Sequence, residues 1–235
     1  MKVQLKNVLS NRVPTGITGL DGLIEGGFPR GSLILLAGSP GSGKSIASAH
    51  FIYHGAKNLD ENGVYLSFAE RRDFFFSNMK RFGLDFEVLE SEDRFKFLDV
   101  MTAREEATSS TFDMAISEIL EINATRLVVD SFSAMAQAFK MRIDARIILH
   151  MLNKLMHHTS CTTLLLVEIP TGSRTFGSGF EEFVADGIIH FETVNENEGI
   201  RKRAVIRKMR NTNHNQNYMN IVISNEGISL MPYVT

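Results

Sequence analysis

Continuous apolar runs alternate along the first two thirds of the chain with segments of helical spacing. Residues 33–37, Leu-Ile-Leu-Leu-Ala, have no polar interruption, as expected of a strand covered on both faces, and residues 44–59 that follow have the length of a helix. A second strand is predicted at 63–68, then a helix over 72–82 that sets Phe75, Met79 and Phe82 on one face. A third strand is expected at 95–99. Phe112, Ala115, Ile116, Ile119 and Leu120 have helical spacing within 112–122, and the polar stretch 102–111 before them reads as a surface loop. Residues 126–131 form a buried strand that ends in a carboxylate, followed by a helix-rich stretch to about residue 158 and a strand at 162–167. Strands alternating with helices predict an α/β layer fold with a mainly parallel sheet flanked by helices.

The last third changes character. Residues 187–193, 201–210, 218–224 and 228–231 are strand-like and joined by turn-rich segments at 195–199 and 225–227, which predicts antiparallel hairpins closing one edge. Near the start, residues 13–27 set apolar side chains between glycines, a pattern of tight turns around one short helical turn. With no internal repeat or low-complexity linker, the expectation is one domain spanning 1–235.

Composition narrows the picture modestly. The chain of 235 residues carries a net charge of −2, so its overall field gives no reason to expect nucleic acid or an anionic membrane as the main partner. Its single cysteine, Cys161, lies in an apolar run and is expected to be a buried small residue in a reducing compartment. The first residues lack the apolar region of a secretory signal, and no run reaches the length of a membrane helix, so a cytoplasmic protein is expected.

Chemistry concentrates at Gly38-Ser39-Pro40-Gly41-Ser42-Gly43-Lys44-Ser45, between the first strand and the first helix. Glycines allow a compact loop whose N–H groups face an anion, and the following helix adds unpaired N-terminal donors and the positive end of its dipole. Lys44 is expected to reach the β/γ-phosphates and Ser45 to hold Mg²⁺. Asp130, ending a buried strand, is expected at the same sheet edge as a second metal-site residue; without the phosphate loop it would read equally well as a strand-end turn residue. Glu70, just past the second strand in Ala69-Glu70, either faces the γ-phosphate and activates water or opens the next helix. Glu168 invites a similar reading. Lys208 and Arg210, two apart on a strand, share a face as a paired cationic clamp, opposite Arg201, Arg203 and Arg207, which read as a solvated charged strand. His157 and His158 lack metal-site spacing. The Phe74-Phe75-Phe76 triplet reads as core, with a patch against a neighbouring subunit as the alternative.

Taken together, residues 14–21, the phosphate loop, Leu127-Val128-Val129-Asp130-Ser131, residues 180–187 and residues 208–214 resemble the KaiC-like branch of the RecA superfamily of ATPases. The resemblance covers nearly the whole chain. It implies a RecA-type core, ATP with Mg²⁺, and assembly into a homo-oligomeric ring, usually hexameric, with nucleotide at subunit interfaces. It also implies that Lys208 and Arg210 contact the γ-phosphate bound next door. Members commonly end the second strand with two glutamates, the first usually regarded as catalytic. Ala69 stands in that place here, so slow hydrolysis, or service by Glu70, is expected. Glu182-Phe183 aligns with the phosphorylated Ser-Thr pair of KaiC, so an autokinase role is not expected.

These readings point to a regulatory ATPase acting as a homo-oligomer, with an unknown protein partner downstream. Two alternatives remain at the sequence level. One is a nucleotide-sensing module without useful turnover. The other is a recombinase paralogue contacting single-stranded DNA through residues 134–141 and 170–179, where Arg174 stands in a loop with few cations.

Overall fold

The structure, a computed structural model, describes residues 11–100, 108–138, 149, 156, 160–169, 181–196 and 199–233. Two short strands, β1 (Arg12–Val13) and β2 (Phe28–Pro29), pair antiparallel around a helical turn at Asp21–Leu23. Then follow β3 (Leu33–Gly38), α1 (Lys44–Asn58), β4 (Gly63–Ser67), α2 (Arg72–Lys80), α3 (Phe86–Ser91), β5 (Phe95–Asp99), α4 (Thr108–Glu121), β6 (Arg126–Asp130) and α5 (Phe132–Ala138). The chain closes with β7 (Thr162–Glu168), α6 (Glu181–Val184), β8 (Gly187–Glu196), β9 (Gly199–Met209), β10 (Met219–Ser224) and β11 (Gly227–Pro232).

Nine strands form one sheet in the order β11-β10-β9-β8-β3-β7-β6-β4-β5. The expected α/β architecture is present, with one change at the junction. β8 pairs parallel to β3 on one side and antiparallel to β9 on the other, so it belongs to the parallel sheet as much as to the hairpins. The reason is local: its first residues are buried beside β3, whereas its second half runs on to Glu196 and pairs with β9 alone.

Two apolar cores sandwich the sheet. On one face, Ile34, Leu36, Tyr65, Val128, Leu164 and Leu166 pack against α1, α2 and α3; on the other, Leu33, Leu35, Val64, Leu127, Val129 and Leu165 meet α4 and α5. Burial on both faces explains why these strands read as unbroken apolar runs. The phenylalanine triplet divides: Phe75 and Phe76 enter a ring cluster with Phe86, Phe95 and Phe97, while Phe74 is 59% exposed. Cys161 is buried as expected, and burial pushes its thiol up to about 12.

Several boundaries differ from expectation. The helix predicted over 72–82 stops at Lys80, and a separate α3 follows, whose six residues are too few to show a period in sequence. The loop expected at 102–111 is already helical from Thr108; residues 101–107 lie outside the described set. Leu120, placed on the apolar face, is exposed, whereas Ala115 and Ile119 are buried. The helix-rich stretch to about residue 158, with His157 and His158, falls largely outside the described residues.

Arg126, fully buried at the start of β6, ties the layers together. It donates to Glu61 at 2.6 and 2.9 Å and to the Phe51 and Pro14 carbonyls at 2.6 and 2.9 Å, with its guanidinium 4.5 Å from the Phe51 ring. Arg30 completes the cluster, 2.7 Å from Glu61. The Glu61 carboxylate and the two carbonyls make such burial tolerable, against the like charge of Arg30.

Candidate functional site

β3 runs straight into the glycine-rich loop, and α1 leaves it. Gly43 caps α1 with φ +104°, in the left-handed region, and a Cβ there would come within 3.1 Å of Ile228 in the C-terminal hairpin. At Gly38 a Cβ would lie 2.3 Å from the Phe191 carbonyl oxygen, so the start of the loop admits glycine alone. No side chain caps α1 through Gly43, leaving its first N–H groups to an anion. Lys44 folds back across the loop, its ammonium donating to Gly38 O at 2.8 Å and Ser39 O at 3.0 Å. Burial lowers its pKa, opposed by the charges of Asp130 and Glu168.

Asp130 arrives from β6, with β7 between it and β3, yet its carboxylate meets the loop: Ser45 Oγ donates to Asp130 Oδ2 at 2.8 Å. Tyr65, from β4, donates to the same oxygen at 2.8 Å and lies 3.2 Å from Ser48 Oγ. Burial raises the Asp130 pKa, while hydrogen bonds from Tyr65 and Ser45 and the charge of Lys44 pull the other way. A serine hydroxyl and a carboxylate in contact fit the hard oxygen donors of Mg²⁺, which takes one or two protein ligands and completes its shell with phosphate and water. No group of three or more His, Cys, Asp or Glu that would make a protein-only metal cage occurs among the described residues.

Glu70 stands just beyond β4, where Ser67 pairs with Asp130 in register. The Ser67 hydroxyl donates to Glu70 O at 2.7 Å and accepts from Glu70 N at 3.0 Å, fixing the turn. The Glu70 carboxylate is half-buried and accepts a 2.7 Å bond from Asn78. Burial raises its pKa, and the Asp130 charge adds to that against the Asn78 bond. Ala69 is exposed beside it. Glu168, at the exposed end of β7, donates its backbone N–H to Ser133 Oγ at 2.9 Å.

Lys208 and Arg210 lie together, as their spacing predicted, but at the other end of the sheet. Gly187, registered with Met209, is also registered with Ile34 at the start of β3, while the phosphate loop leaves β3 after Gly38. Those four residue steps separate the two groups by about 13 Å along the strand, with the loop farther still. Lys208 donates to Ala185 O at 2.6 Å and Glu182 O at 3.0 Å; Arg210 donates to Asp186 Oδ1 at 3.1 Å and Phe183 O at 3.3 Å. Both therefore hold the C-terminal end of α6, where Phe183 projects with 75% exposure. A β-bulge at Arg207, between the Ile188–Lys208 and Ile189–Ile206 pairs, shifts the strand by one residue, so Arg203, opposite Glu192, lies on the same face of β9 as Lys208, opposite Ile188, and the opposite-face expectation is corrected. Arg203 is bound to Glu192 at 2.7 Å with its guanidinium 3.9 Å from the Tyr218 ring, and Arg201 and Arg207 pair with Glu196 and Glu192. A solvated strand is thus corrected to a paired one, because acids and tyrosines from β8 and β10 share that face.

Sequence reasoning missed Tyr65, Arg126 and Asp186. Tyr65 and Arg126 sit in predicted buried strands, where a polar side chain needs a partner; that was the available signal. Arg174 lies outside the described residues.

A mainly parallel sheet that feeds a glycine-rich loop into a helix, with a buried carboxylate touching the loop serine, defines a P-loop nucleotide-binding α/β protein. The family model described as "ATPase: KaiC" matches residues 13–234, and the chain belongs to that KaiC-like family of the RecA superfamily. It is 33% identical to a UPF0273 protein of Pyrococcus horikoshii, over 95% of both chains. It is 29% identical to the circadian clock oscillator protein KaiC of Parasynechococcus marenigrum, over 94% of this chain and 45% of that one. A crystal structure of a KaiC-like protein from Pyrococcus horikoshii superposes with a TM-score of 0.86 at 35% identity, covering 94% of this chain and 99% of that one. Membership supports a nucleotide-binding ATPase. Among the described residues no helix is long and apolar enough to cross a membrane.

Proposed function

We propose that the chain hydrolyses ATP with Mg²⁺ at a site shared by two copies, within a homo-oligomeric, ring-forming regulatory ATPase. Gly38, Ser39, Pro40, Gly41, Ser42 and Gly43 form the phosphate cradle, and Lys44 stabilises charge on the transferring phosphoryl group. Ser45 and Asp130 hold Mg²⁺, which neutralises phosphate charge when bound. Glu70 orients or deprotonates the attacking water, a role supported by its half-burial and raised pKa. The observation that carries the reading is the separation of Lys208 and Arg210 from their own loop, since cations at the far end of the sheet can serve phosphate only in a neighbouring copy.

The test is ATP turnover by Lys44→Ala and Arg210→Ala, each alone and then mixed. Alone each is expected to be nearly inactive. Mixing should restore part of the activity, because some junctions then join an intact loop to an intact Arg210. Two inactive variants that stay inactive in demonstrably mixed assemblies would refute the shared site. A second reading, a nucleotide sensor without useful turnover, draws on Ala69; ATP recovered intact after long incubation with assembled protein would favour it.

A further inference from the structure

β4 is buried along its length, and a phenylalanine would suit its packing. The chain carries Tyr65 there instead, 1% exposed, stacked on Phe97 at 5.6 Å between centroids and tilted against Phe75 at 4.5 Å. These rings fix the axis of the phenol, and they offer nothing to its hydroxyl. A buried hydroxyl without a partner is destabilising. Here it is satisfied by the candidate metal site: Asp130 Oδ2 at 2.8 Å and Ser48 Oγ at 3.2 Å.

Proton inventory orders this network. A carboxylate has no proton to give, so Tyr65 donates to Asp130, and Ser48, 2.9 Å from the Ser45 carbonyl, shares its proton between that oxygen and the phenol. Ser45 and Tyr65 converge on one oxygen, Oδ2, from two different elements. Two donors on one carboxylate oxygen fix the rotation of the group, and with it the position of Oδ1.

From this geometry we infer that Tyr65 is a positioning residue for the divalent cation, its hydroxyl holding the Asp130 carboxylate in the orientation that receives Mg²⁺ and, through Ser48, coupling that orientation to α1 and the phosphate loop. The inference rests on the ATP and Mg²⁺ reading above. It adds a member to the site that touches neither phosphate nor metal and acts through Asp130, as hydrogen-bonded partners of metal ligands do.

Tyr65→Phe removes one hydroxyl and keeps the ring. Calorimetric binding of ATPγS, a slowly hydrolysed ATP analogue, is measured in Mg²⁺ and in EDTA. Wild type is expected to bind more tightly with Mg²⁺. Tyr65→Phe should lose about 10–100-fold in the Mg²⁺ arm, the usual cost of deleting such a partner, with metal-free affinity unchanged. Ser48→Ala, which keeps the phenol–carboxylate bond, should shift the Mg²⁺ arm in the same direction by less. Equal losses in both arms would make Tyr65 a packing residue, and wild-type Mg²⁺ dependence in the variant would make it a spectator; either result overturns the inference. If Tyr65→Phe fails to fold, an unaltered Mg²⁺ arm in Ser48→Ala overturns it instead. Wild-type affinity indifferent to Mg²⁺ would remove the metal reading itself, a separate outcome read before any variant.

Discussion

Lys44 and Lys208 make the same local bonds and sit in opposite circumstances. Each ammonium donates to two main-chain carbonyls, Lys44 across the phosphate loop and Lys208 at the end of α6. Around Lys44 the charged neighbours are Asp130 and Glu168, which favour its charge. Around Lys208 the largest charged influence is Arg210, a like charge that lowers its pKa further, with Asp186 and Glu182 opposing. At the loop end of the sheet, the lysine's charged neighbours are both carboxylates of its own chain. The other end gathers two cations beside an exposed phenylalanine, an arrangement suited to an anion that another molecule brings.

The largest effect expected from this contrast is at Arg210. Arg210→Ala should lower ATP turnover by about 10³ or more, the scale of an arginine finger, while losing under about 1 kcal/mol of stability, because its pair with Asp186 is half-exposed. Kinetics beside urea unfolding decide it; the reverse pattern would make Arg210 a strut for α6. Next, Lys44→Ala should cost about 10²–10³ in turnover and also abolish thermal protection by ATP, since that lysine serves its own loop. Turnover that survives would dissolve the contrast.

A pH–rate profile sharpens it further. Glu70 must lose its proton to act on water, so the rate should rise with pH through a limb above the ordinary glutamate range, because burial and Asp130 raise that pKa. The Asn78 bond favours the charged form, so Asn78→Ala should move the limb to still higher pH. The smallest effect is expected from Ala69→Glu: the position is exposed and has room, and a second carboxylate there should raise turnover several-fold if water activation limits the rate.

What could be read in the chain followed the distance over which its causes act. The phosphate loop is contiguous, and its strand and helix are written in adjacent residues, so Gly38 to Ser45 was legible as a loop between strand and helix. Asp130 was legible because strand ends in this fold share an edge. The six-residue α3 was not, since its boundaries come from Phe86 and Leu89 packing into a ring cluster assembled from separate elements. Tyr65 was passed over for the same reason: its hydroxyl acquires meaning from Asp130, 65 positions away. The spacing of Lys208 and Arg210 announced a pair, and only the register of β9 on β8 and β8 on β3 revealed which end of the sheet it occupies.

The sealed position of Cys161 has a practical consequence. It is the only cysteine of the chain, fully buried, and its thiol is pushed up to about 12, so at neutral pH it offers almost no thiolate to a maleimide or a nitroxide reagent. The native protein is in effect a blank background for thiol labelling. A cysteine introduced by Phe183→Cys would stand in the open at the end of α6, so a single reporter could be attached without first removing a native residue. In the proposed assembly, its dipolar coupling to the same label on a neighbouring copy would measure how far apart two α6 segments lie with and without nucleotide.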